Sequence, residues 1–169
     1  MLRRFLVVLS FLGTSCLADS PDPIKATFGG GVLGIPWGTS LTSVIATYPQ
    51  GDHVFAVTPG CRAYWVKEGQ EVLGIPREGK GSLFGFDKQN HVVIAAVAFD
   101  FSRKEELRST LILLLGAPAA ARQTSDRTLY GWRSLDGMTV SVRELGEGSQ
   151  RIVWLTVSVP GYKALKDQC

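Results

Sequence analysis

The sequence predicts an α+β fold made of two helix-plus-antiparallel-meander repeats. Three observations carry that expectation. Two stretches combine a turn, a capping residue and an apolar stripe at helical spacing, and each is stopped by proline. The segments between and after them alternate apolar and polar residues with period two. The halves also echo one another: Pro49 and Pro118 lie 69 residues apart, and Tyr64 and Tyr130 lie 66 apart, each tyrosine close to a tryptophan (Trp65, Trp132).

The first helix is the clearest element. Gly34, Pro36 and Gly38 punctuate a turn, and Thr39 or Ser40 supplies an N-cap hydroxyl for the orphan N–H groups at the helix start. Leu41, Val44, Ile45 and Tyr48 then form one apolar stripe, and Pro49 with Gly51 ends it. Trp37, just ahead of the cap, is expected to pack as a buried staple.

Ahead of this helix the chain reads as a secretory signal over residues 1–18. Met1 to Arg4 is basic, Phe5 to Leu12 is apolar apart from Ser10, and Cys16-Leu17-Ala18 ends on a small residue. The apolar run is shorter than the about 20 residues that a bilayer-spanning helix needs, so no transmembrane span is expected. The compartment is then periplasmic or secreted. Cys16 opens a second route, lipidation to an outer-membrane lipoprotein, but the leucine stands four residues before it (Leu12) instead of three, which favours cleavage after Ala18. Residues 19–31, with two prolines and Gly29-Gly30-Gly31, read as a flexible leader; the glycines lack the Lys and Ser/Thr that complete a phosphate loop. The repeats then occupy residues 32–101 and 102–169.

Charge and cysteine content narrow the partners. With Arg3 and Arg4 gone, 16 basic residues face 15 acidic ones, and no basic cluster remains beyond Arg103-Lys104, so a nucleic-acid partner is not expected. Cys61 and Cys169 are left as a pair in an oxidising compartment and are expected to form a disulfide. In the chain-entropy model, closing a loop of about 100 residues is worth up to about 4.7 kcal/mol. Two cysteines and two distant histidines give no metal-ligand spacing, and no cofactor is expected.

Strands are expected at Val54–Val57, Cys61–Lys67, Ser82–Phe86 and Val92–Phe101, with Asp87 to Asn90 joining the last two as a hairpin connection. Val72-Leu73-Gly74-Ile75-Pro76 repeats Val32 to Pro36, but it leads into a loop with no cap, Arg77 to Gly81, and the match reads as coincidence. Ser102 and Glu105 have the spacing of a capping box, opening a helix that runs to Leu115 with Leu107, Leu111, Leu114 and Leu115 as its stripe. Ile112 and Leu113 widen that stripe, so the helix is either central to the core or partly exposed to a partner. Three strands close the chain: Arg127–Arg133, Met138–Arg143 and Val153–Val159.

This order of elements, over residues 34–159, resembles the helix-plus-meander modules of bacterial periplasmic proteins. Examples are the BamE-like lipoproteins and the tandem repeats of the β-lactamase inhibitor protein. The matching stretches are Ile35-Pro36-Trp37-Gly38-Thr39 and Leu115-Gly116-Ala117-Pro118. The resemblance implies one curved sheet with the helices packed on one face, and a protein-binding module without catalysis.

The residues themselves support binding over catalysis. Neither His53 nor His91 lies in a recognisable nucleophile–base setting, and Asp100, on an apolar strand, is either a buried acid with a raised pKa or a helix cap. The acid would make the chain a small envelope hydrolase. Trp154, by contrast, alternates with valines and lies among Thr156 and Ser158, the composition of a contact anchor on a wet face. Arg143 is expected beside it, and Tyr130 and Trp132 join that face if the register allows. The partner is then another protein of the bacterial envelope. The chain would be an inhibitor or immunity protein against a cell-wall-acting enzyme, or a structural accessory of an envelope complex.

Overall fold

The computed structural model describes residues 21–55, 62–67, 71–77, 80–123 and 128–162. The expected signal segment with Cys16, and both Cys61 and Cys169, lie outside the described residues. The fold is α+β. Among the described residues three α-helices, α1 (Pro23–Phe28), α2 (Leu41–Thr47) and α3 (Lys104–Leu115), accompany the strands β1 (Asp52–Phe55), β2 (Arg62–Val66), β3 (Ser82–Phe86), β4 (Val92–Asp100), β5 (Ala120–Gln123), β6 (Thr128–Arg133), β7 (Thr139–Leu145) and β8 (Ile152–Ser158). They form one open antiparallel sheet in the order β1-β2-β3-β4-β8-β7-β6-β5. Strands β4 and β8 meet in its middle with Ala98 opposite Trp154.

Alternation decides which face is dry. Val153, Leu155 and Val157 of β8, and Ala95, Val97 and Phe99 of β4, are completely or almost completely buried. They join the helix residues Val44, Leu107 and Leu111 in a single core. Val93 and Ala98 of β4, which stand outside that core, are buried as well, as expected of a central strand. The hairpin between β3 and β4 forms as its residues dictate: Asp87 accepts from the N–H of His91 through its carboxylate (2.8 Å), and Asn90 takes the left-handed conformation at φ 62°.

The leader is not a loose chain from residue 23 onward. Asp22 caps α1, its carboxylate accepting the N–H groups of Ile24 (2.9 Å) and Lys25 (3.3 Å), while Pro23 occupies a first-turn position where no N–H is needed. Ile24 and Phe28, four apart, are buried. The Trp37 indole N–H donates to the Phe28 carbonyl (2.7 Å), so this tryptophan is a half-buried strut between α1 and the turn before α2, less enclosed than a staple. As expected, α2 starts on Ser40, whose hydroxyl accepts from the Ser43 N–H (3.2 Å).

The second copy of Val-Leu-Gly-Ile-Pro is no coincidence of letters. In both copies the outer residues exchange a pair of backbone hydrogen bonds, Val32 with Ile35 and Val72 with Ile75, all at 3.0–3.1 Å. The two central residues sit at positive φ: 55° and 71° for Leu33 and Gly34, 56° and 74° for Leu73 and Gly74. That is the conformation of a type I′ turn, usually given to Asn-Gly because a left-handed L-residue costs roughly 1–2 kcal/mol. Here both leucines pack against the core, and together they line a groove of about 290 Å³ with Phe28 and Glu71. Tyr48 extends the arrangement by donating its hydroxyl to the Leu33 carbonyl (2.6 Å).

The capping box at Ser102 does not form. Asp100 instead accepts the Ser102 N–H (3.0 Å) and winds Phe101–Arg103 into a single tight 3₁₀ turn, from which α3 continues at Lys104. The helix buries Leu107, Leu111 and Leu115 and turns the stems of Lys104 and Arg108 inward, leaving Leu114 partly exposed at 40 % beside Ile112 and Leu113, the last at 85 %. Two polar attractions set this rotation: Lys104 meets Glu144 of β7 (2.7 Å), and Arg108 lies 5.1 Å from the centre of the Tyr130 ring.

An ion pair fastens α1 to the β6–β7 turn, with Lys25 Nζ 2.8 Å from the Asp136 carboxylate. The hydrogen bond from Lys25, and after it the one from the Ser134 hydroxyl, holds the Asp136 carboxyl down at about 2 and raises Lys25 in return. A carboxyl whose folded pKa is depressed contributes stability that is complete above its unfolded value near 4 and is lost as pH falls toward 2. An NMR titration should therefore find the Asp136 midpoint near 2, moving upward in Lys25→Ala; a midpoint near 4 in the parent protein would dissolve the pair.

Candidate binding face

The outward positions of the sheet assemble the candidate site. On β8 they are Ile152, Trp154, Thr156 and Ser158, alternating with the buried Val153, Leu155 and Val157. Register carries the face across the strands: Trp154 lies opposite Arg143 of β7 and Ala98 of β4, and Thr156 opposite Ser141 and Ala96. Thr139 and Ser158 join their hydroxyls at 2.6 Å. Trp154 thus points away from the core, with Thr139, Ser141 and Arg143 on its side, as its alternation predicts.

Trp154 is not alone there. The indole of Trp65, on β2, meets it edge to face with ring centroids 5.7 Å apart and an interplanar angle of 64°. Such pairs are worth about 0.5–1.5 kcal/mol beyond their buried area. The two rings come from strands separated by β3 and β4, so something must clear the space between them. Gly81 does so. A Cβ there would fall 2.0 Å from the Trp65 ring, and only hydrogen lets the indole lie flat over the chain. Gly85 repeats the device beneath Ile94, where a Cβ would sit 2.4 Å from a methyl group. A floor of glycine and alanine with two half-buried tryptophans laid across it gives broad apolar area at low side-chain entropy.

Tyr130 and Trp132 belong to the other side. Register pairs them with Val142 and Val140, both core residues, so the expected aromatic cluster on the wet face splits in two. Trp132 is 4 % exposed and donates its indole N–H to the Gly116 carbonyl (2.9 Å), closing an orphan acceptor at the end of α3. Period two gives Tyr130 and Trp132 a common side but cannot say which, because a one-residue slip exchanges the faces. The outward aim of Trp65 was legible in principle, since Tyr64 and Val66 flank it as core residues; the missing signal was its distant ring partner, Trp154.

The acid on β4 takes the capping role. Asp100 is half-exposed; the Ser102 N–H, then the Ser102 hydroxyl and Lys80 at 3.7 Å, draw its pKa below the usual carboxylate value. A proton-donating acid needs the opposite shift. His91 sits in the β3–β4 turn with Nδ1 3.9 Å from Asp87, and the His53 side chain lies outside the described residues. No protein-family model, curated protein or solved structure matches the chain, so the geometry of the face itself carries the functional argument.

Proposed function

We propose that this chain is a periplasmic or secreted protein-binding module whose outer sheet face docks another envelope protein. We take it as an inhibitor or immunity protein against an envelope or cell-wall-acting enzyme. The observation that carries the reading is the Trp65–Trp154 pair, held half-exposed on a sheet whose opposite face is sealed by the core. Large aromatics at the centre of a flat, small-residue floor are the usual energetic anchors of protein interfaces. A tandem organisation fits this use: strand order is symmetric about β4 and β8, and a helix precedes four antiparallel strands on either side. With the helices gathered on the core face, the other face is left for a partner.

The test separates docking from folding. Trp154→Ala should leave the melting temperature almost unchanged while weakening capture of the partner from an envelope extract by about 2 kcal/mol or more. Thr156→Arg, which raises bulk in the centre of the face, should abolish capture, and Leu113→Asp on α3 should not. Capture that survives Thr156→Arg but fails with Leu113→Asp would move the interface to α3. Where the captured protein is an enzyme, added chain should suppress its activity stoichiometrically; undiminished activity would leave a binder that is not an inhibitor.

A further inference from the structure

The outer face is electrically lopsided. By register the outward positions of β6, β7 and β8 include Arg133 and Arg143, and those of β5 include Arg122. No outward position of β5 to β8 holds an aspartate or glutamate; Glu144, the acid of β7, points inward to Lys104 and Arg151. The acids on the other half of the face are already engaged, Asp52 by Lys67 (2.5 Å) and Asp100 by Lys80 (3.7 Å). Arg122, Arg133 and Arg143 have no ion pair among the described residues. Without residues 1–18 the chain has 16 basic and 15 acidic side chains, so this positive strip is local and does not arise from net charge.

Its spacing is set by the sheet. Arg122 and Arg143 both neighbour Leu129, one on each side, which puts their strands two spacings or about 10 Å apart. Arg133 lies four residues along β6 from Leu129, about 13 Å away. Trp154 stands directly beyond Arg143. Arginine forks bind carboxylates in bidentate fashion, and an uncompensated basic strip steers acidic partners to the surface beside it.

We propose that the partner is an acidic protein segment whose carboxylates, about 10 Å apart, are received by Arg122 and Arg143, with Arg133 as a third contact, while its apolar side settles on Leu129 and Trp154. This rests on the outer face being the docking surface. An anionic bilayer fits less well, because the two tryptophans are half-buried and packed edge to face against each other.

The full chain, recovered as its host cell processes it, is titrated with poly-L-glutamate at low and high salt while tryptophan emission is monitored. The expected result is saturable quenching that fades with salt and weakens about tenfold in Arg143→Glu or Arg122→Glu. Lys88→Glu, in the β3–β4 turn, should leave it unchanged, and Arg143→Gln guards against a folding defect introduced by the new acid. Failure of poly-L-glutamate to bind, equal loss in Lys88→Glu, or stronger arginine-dependent binding to phosphatidylglycerol vesicles would each overturn the acidic-protein assignment. The two readings part in the capture experiment. If Thr156→Arg abolishes capture and Arg143→Glu does not, the face stands and the acidic partner falls; if Thr156→Arg is harmless, the face itself falls.

Discussion

Trp132→Ala should destabilise the protein by about 3–5 kcal/mol, the range for removing a large aromatic from a packed core. For a domain of this size that corresponds to a fall in melting temperature of roughly 10 °C or more. Two losses combine. The indole fills the space between β6 and the end of α3, and its N–H satisfies the Gly116 carbonyl at a helix end that has no intrahelical donor to offer. Trp132→Phe separates them by keeping most of the volume and dropping the hydrogen bond, a difference of about 1–3 kcal/mol for the buried acceptor left alone. Calorimetry on both variants checks the prediction. If Trp132→Ala melted like the parent and lost only its partner, Trp132 would return to the interface.

The second large effect lies where α3 meets β7 and β8. Glu144 is 3 % exposed and receives Lys104 at 2.7 Å and Arg151 at 2.6 Å, while the Arg151 guanidinium also stacks 3.8 Å from the centre of the Phe101 ring. Replacing both cations by methionine strands a carboxylate in the core and should lower stability by about 3–5 kcal/mol. Glu144→Gln should be milder, because Lys104 and Arg151 retain 23 % and 34 % of their side-chain surface and can turn to water. The asymmetry is the test: equal losses from the double variant and from Glu144→Gln would mean that packing around Phe101, not charge, secures this corner.

Elements whose signals are short-ranged were readable from the chain alone. Ser40 announces α2, Asp87 and Asn90 shape the β3–β4 turn, and the alternation of β8 decides that Trp154 faces outward. The features that local pattern did not reveal depend on distance or on an unusual residue. The β5 strand, Ala120–Gln123, is too short to alternate, and it exists because β6 offers an edge. The paired turns hid because leucine stands where Asn is expected, and only the folded chain brings the two together along one groove. The capping box at Ser102 lost to Asp100, a stronger acceptor placed just ahead of it by the end of β4. At the candidate face, Trp154 and Arg143 were within reach of the sequence. The outward aim of Trp65 was within reach too, but its pairing was not, since that depends on Gly81 and on Trp154, 89 residues downstream.

The central seat of β8 also has a consequence in time. It is the last of the described strands in chain order, yet it pairs with β4, joining Ile94 to Ser158 and Asp100 to Ile152 across 64 and 52 residues. As the chain emerges from its N-terminus, β1 to β4 can form a meander, but β4 then ends in a bare hydrogen-bonding edge with apolar residues on both faces. Such an edge invites pairing with other chains. Nothing upstream can cover it, because β5, β6 and β7 reach β4 only through β8. The nascent sheet therefore stays incomplete until β8 has emerged, and loop closure over these separations makes the late step slow. A chain truncated at residue 150 should keep all three helices and seven of the strands in its sequence and still fail to fold alone, whereas supplying residues 151–169 as a separate peptide should rescue it.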